Sequence, residues 1–148
     1  EISYDELSSA IHQAINAFIT SMLLAVKCPN GIMCSHSLPS PNRMLEFDPK
    51  VIHRKIKQDD LADNSDVYAL VWGRNQTPDV TSRLQFAWDT RVFVCGHQKA
   101  DMGYETQTDS MLILASNHGH GMVLPIRLDE KYELSDLMVR CVPLAGVM

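Results

Sequence analysis

The sequence predicts an α+β domain whose sheet is antiparallel or mixed, with helices early and a strand-rich second half. Three observations carry this. Residues 5–20, DELSSAIHQAINAFIT, repeat apolar side chains at Leu7, Ile11, Ala14, Ile15, Phe18 and Ile19, the three-and-four spacing of a helix with one covered face. Residues 92–95, VFVC, are an uninterrupted β-branched and aromatic run that suits a sheet covered on both faces. Beyond them, short apolar segments at 104–107, 111–115, 122–128 and 137–142 succeed one another between Asp, Ser, Asn and Gly signals, each reading as a strand.

In chain order, residues 22–26 read as a strand after the first helix. Pro29, Asn30 and Gly31 supply a turn, and residues 32–35 read as the partner strand of a hairpin. The following SLPSPN, residues 37–42, is irregular because of its two prolines. A short surface helix is expected over 49–58, with Pro49 in its first turn. A solvated connection over 59–66 then leads to an apolar run at 67–72, which ends in Gly73, Arg74 and Asn75. Residues 80–87 read as a short helix or irregular cover before the central strand at 92–95.

At 148 residues and 45% hydrophobic content, residues 1–148 are expected to form a single domain with its own core. The net charge of −5, with no basic run beyond HRKIK at 53–57, argues against a nucleic-acid partner. No apolar run approaches the roughly 20 residues a membrane helix needs, so no membrane partner is expected. The four cysteines lie in or beside apolar runs and form no C-x-x-C pair, which reads as buried free thiols in a reducing, cytoplasmic setting. Because Glu1 lies within a helical pattern, the sequence is expected to be part of a longer protein.

Histidine marks the ends of three apolar runs: His36 closes IMCSH, His97 follows VFVCG, and His118 and His120 follow MLILAS. This arrangement suggests one polar rim on one sheet. Neutral imidazole ligates divalent metals well, and a strand end holds it at fixed geometry. The other reading makes each a satisfied polar residue near a sheet edge. In SNHGHG, Gly119 and Gly121 around His120 imply either a backbone pressed close to something or a tight turn. Arg74, set between Gly73 and Asn75, is a candidate clamp for phosphate oxygens, or else a surface arginine paired with Asp79 or Asp89.

The order CPNGIMCSHSLPSP, ALVWGRN, RVFVCGHQKADMGYE and LILASNHGHGMVLPI resembles the second half of a calcineurin-like metallophosphoesterase of the PPP-type serine/threonine phosphatase superfamily, in a bacterial form. The likeness spans about residues 14–128. It implies the C-terminal portion of a two-sheet β-sandwich with flanking helices, and a phosphoric ester hydrolase acting on phosphoprotein or on dinucleoside tetraphosphate. His36 and His97 match metal-ligand histidines, and Arg74 matches an arginine that reaches phosphate. His118 stands where many protein phosphatases have tyrosine, and either faces the phosphate as a proton donor or stacks beneath the site. The implied cofactors are two divalent ions, Mn, Fe or Zn.

The departures matter as much. The family's aspartate-x-histidine, G-D-x-x-D-R-G and G-N-H-E motifs do not occur in this chain, and a dinuclear site needs their carboxylates. Ser37 and Leu38 replace two glycines. The chain is therefore expected to be inactive alone, and to need an absent N-terminal segment or an oligomer partner to cover an apolar face. The alternative is a non-catalytic interaction domain that retains the phosphoesterase fold.

Overall fold

A computed structural model describes residues 4–146. Four helices, α1 (Tyr4–Ser21), α2 (Asp66–Trp72), α3 (Pro78–Trp88) and α4 (Leu134–Arg140), accompany a five-stranded mixed sheet. Its strands are β1 (Ala25–Lys27), β2 (Ile32–Ser35), β3 (Val92–Cys95), β4 (Tyr104–Thr108) and β5 (Met111–Leu114), in the order β1-β2-β3-β5-β4. β2, β3 and β5 run parallel, while β1 and β4 are antiparallel edge strands. A two-stranded ribbon of β6 (Met122–Val123) and β7 (Val142–Pro143) stands apart from that sheet.

The period of two along the central strands divides the core into two layers. Met33, Phe93, Cys95, Met111 and Ile113 face α2, α3 and the segment around Phe47 and Val51. Ile32, Val92 and Leu112 face the opposite layer, where α4 brings Leu137, with Leu134, Met138 and Cys141 partly buried around it. Cover on both faces accounts for the unbroken apolar run of β3.

The hairpin of β1 and β2 forms, with Gly31 at φ +87 in its turn, but its first strand is Ala25–Lys27 and not the expected 22–26, since residues 22–24 are the bend that leaves α1. Residues 67–72 fold as helix α2, started by Ser65, whose Oγ accepts the Tyr68 N–H at 2.9 Å. Residues 80–87 lie in α3. The helix expected over 49–58 is instead a 3-10 turn at Pro49–His53, and a second follows at Gln58–Leu61. The connection over 59–66 is not wholly solvated, because Asp60 is buried and held by both Arg54 amino groups at 2.6 Å.

Two expected strands are corrected. Residues 137–142 belong mainly to α4: Leu134, Leu137, Met138 and Cys141 fall at helical spacing against the core, and the Asp136 carboxylate accepts the Glu133 N–H at 2.8 Å at its start. Of residues 122–128, only Met122–Val123 is strand. Pro125, which has no N–H to donate, follows closely.

Candidate functional site

The three parallel strands end on the same side of the sheet, because parallel neighbours share direction. His36 follows β2, Gly96 and His97 follow β3, and Asn117 and His118 follow β5. Open sheets of parallel strands gather ligand sites beyond such carboxyl ends. Ser35 pairs with Cys95 in register, so the next residues, His36 and Gly96, are neighbours and the Gly96 N–H donates to the His36 carbonyl at 3.1 Å.

His36 and His97 meet here. His36 Nε2 lies 3.1 Å from His97 Nδ1, with ring centroids 4.8 Å apart and the rings tilted by 56°. One nitrogen donating to the other satisfies that distance. So does a shared metal, since two nitrogens at about 2.1 Å from one ion and 90–109° apart are separated by about 3.0–3.4 Å. His97 adopts φ +65, a left-handed conformation that a non-glycine residue takes only when its surroundings hold it. The edge of Trp72 packs on it at 5.4 Å between centroids. Its Nε2 is buried without a hydrogen-bond partner among the described residues. Burial pushes the His97 pKa down, the Arg74 guanidinium and His36 push it the same way, and the Trp72 backbone opposes them. The ring is therefore biased toward its neutral, lone-pair-bearing form.

Arg74 is exposed and forms no ion pair among the described residues; Asp79 pairs with Arg83 at 3.0 Å and Asp89 with Lys27 at 3.4 Å. Its position is set by its backbone. The Arg74 N–H donates to Ser40 Oγ at 2.8 Å, and Gly73 packs so tightly that a Cβ there would lie 1.8 Å from the Leu38 carbonyl oxygen. Ser37 and Leu38 are both fully buried. Ser37 Oγ donates to the Gly73 carbonyl at 2.6 Å, and Leu38 joins the core, so these two side chains brace the segment carrying Arg74 from beneath.

Two glutamines complete this brace. Gln76 Nε2 donates to the Leu38 carbonyl at 2.5 Å, Gln98 Nε2 donates to Gln76 Oε1 at 2.8 Å, and Gln98 Oε1 accepts the Asn75 N–H at 3.0 Å. The residues beside His36, Arg74 and His97 are thereby tied into one network. Sequence reasoning missed both glutamines, and no local pattern marks a pair separated by 22 residues.

His118 lines a cavity of about 270 Å³ together with His97, Lys99, Asp101 and Asn117. Both of its ring nitrogens are engaged by backbone. Nε2 lies 3.1 Å from the Ala100 carbonyl, which only accepts, and Nδ1 accepts the His120 N–H at 3.2 Å. The ring thus holds the loop after β3 to the loop after β5, and giving up a proton from Nε2 would break one of those bonds.

Four cysteines lie elsewhere in the chain. All four are free, and burial pushes the Cys95 thiol up to about 12 and the Cys34 thiol up to about 11. Among the described residues, no group of three or more His, Cys, Asp or Glu side chains is placed to hold a metal ion. The His36 and His97 pair amounts to two ligands, and no carboxylate of the described residues joins it. No described helix is long and apolar enough to cross a membrane. Compared with known protein-family models and with curated proteins, the chain matches none of them.

Proposed function

We propose that the chain supplies part of the active site of a metal-dependent phosphoric ester hydrolase of the calcineurin-like, PPP-type class, with phosphoprotein or dinucleoside tetraphosphate as substrate. The observation that carries this reading is the approach of His36 Nε2 to His97 Nδ1 at the carboxyl ends of adjacent parallel strands, near an Arg74 that forms no ion pair among the described residues. His36 and His97 would hold one divalent ion, Mn, Fe or Zn, as neighbouring ligands. The two-metal centre of such an enzyme polarises the ester and lowers the pKa of a bridging water.

The fit extends to two ligands and stops there. The carboxylates of a dinuclear centre would come from polypeptide outside residues 1–148, so no hydrolytic step is assigned to these residues alone. Arg74 would neutralise non-bridging phosphate oxygens. His118, with both nitrogens engaged, would position the loop after β3. The free thiols suit a cytoplasmic setting. The lack of a carboxylate beside the histidines among the described residues favours a second reading, a non-catalytic interaction domain on the same fold.

Arg74 separates the two. Phosphate and vanadate affinity, measured by calorimetry with and without divalent metal, should fall by roughly tenfold in Arg74→Ala, a change typical of one charge-assisted contact, while metal affinity is unchanged. Equal phosphate affinity in the two proteins would remove Arg74 from the site and favour the non-catalytic domain.

A further inference from the structure

An indole stands exposed beside the two histidines. Trp72, the last residue of α2, is 55% accessible, whereas the chain's other tryptophan, Trp88, is 4% accessible in the core. Trp72 is not loosely attached. Tyr68, one turn earlier on the same helix, lies 6.0 Å from it between ring centroids with the planes tilted by 33°, and the His97 ring meets it at 5.4 Å and 85°. The backbone leaving Trp72 is fixed as well, because Ser37 Oγ donates to the Gly73 carbonyl. A ring held by its neighbours and still open to solvent meets a ligand with little rotamer freedom left to lose.

Positive charge shares this ground. Arg74 lies two residues on, its backbone N–H held by Ser40 Oγ, and its guanidinium is close enough to His97 to push that ring's pKa down. Indole and guanidinium therefore converge on one imidazole. Among the described residues no carboxylate pairs with Arg74. The two groups recognise different chemistry: a guanidinium binds phosphate oxygens in pairs, whereas an indole takes a flat π system against its face. A phosphorylated serine or threonine offers only the first. A nucleotide offers both, joined through a sugar, and every base has a face to stack.

Taking Arg74 as the phosphate clamp of the proposed hydrolase, we propose that Trp72 is the stacking platform for a nucleobase whose phosphate Arg74 holds. The ligand of this rim is then a nucleotide and not a phosphoprotein.

AMP and ribose 5-phosphate isolate the base, because they share sugar and phosphate. Titrated into the 148-residue chain, AMP should bind at least about fivefold more tightly than ribose 5-phosphate, the low end of what one base stacked on an aromatic ring contributes. AMP should also quench tryptophan fluorescence where ribose 5-phosphate does not, since a base can reach Trp72 but not buried Trp88. Trp72→Leu should abolish both the preference and the quenching, Trp72→Phe should keep part of the preference, and Arg74→Ala should weaken both ligands by a similar factor. Equal affinity of the parent chain for the two ligands, or an AMP preference that survives in Trp72→Leu, would overturn the stacking role. With equal affinities that still depend on Arg74, the phosphoesterase reading stands with phosphoprotein as its substrate; if neither ligand binds, both fall.

Discussion

Replacing Gly73 by alanine loads the joint that holds Arg74 beside the two histidines. The added Cβ would lie 1.8 Å from the Leu38 carbonyl oxygen and 2.7 Å from that of Ala69. Both are backbone atoms, so no change of rotamer relieves the overlap, and either the 37–40 segment or the end of α2 must move. Overpacking costs about 1–3 kcal/mol where neighbours can shift. Here two buried hydrogen bonds go with it, Ser37 Oγ to the Gly73 carbonyl and Gln76 Nε2 to the Leu38 carbonyl, at about 1 kcal/mol each. The expected loss is about 3–5 kcal/mol, a large share of the roughly 5–15 kcal/mol that holds a domain together. Urea unfolding followed by the fluorescence of buried Trp88 measures it. Gly119→Ala is the control, since nothing lies within 4 Å of its added Cβ, and it should stay within about 0.5 kcal/mol of the parent. A Gly73→Ala protein equally close to the parent would refute the close approach and the placement of Arg74 that follows from it.

The His97 ring should titrate below 6.5, its ordinary value, and Arg74→Ala should raise its pKa without restoring it fully, because burial remains. A lowered histidine pKa leaves the unfolded chain binding more protons, so stability from this group is complete above 6.5 and declines as pH falls below it; an NMR titration of His97 identical in both proteins would contradict the Arg74 contact. The Arg54 guanidinium holds Asp60 at about 2 against 3.8, so its contribution is complete above 3.8 and is lost as pH falls toward 2. Arg54→Met should raise the Asp60 pKa and flatten that acid limb of the stability profile, and an unchanged carboxyl titration would count against the pair.

The elements legible in the sequence are those whose signals are local. β2 and β3 begin and end where 32–35 and 92–95 were expected, because turn residues bound β-branched runs. The run at 67–72 is short enough that its periodicity alone does not distinguish strand from helix, and Ser65 as a cap decides it. At 137–142 the apolar stretch hid a helical spacing that starts earlier, at Leu134. The histidine rim was legible because each strand carries its own histidine at its end. The contact between His36 and His97 was not, since it depends on the parallel register of β2 and β3, and two distant segments choose that register through packing. The same holds for Gln76 and Gln98, whose pairing leaves no trace in either neighbourhood.

The central claim is that His36 and His97 together hold one divalent cation. Calorimetric titration of Zn²⁺ or Mn²⁺ into the chain, into His36→Ala and into His97→Ala tests it most directly. The account predicts one weak site in the parent chain that either substitution weakens by at least about tenfold. A parent chain that binds neither ion, or binding unchanged in both variants, would contradict it.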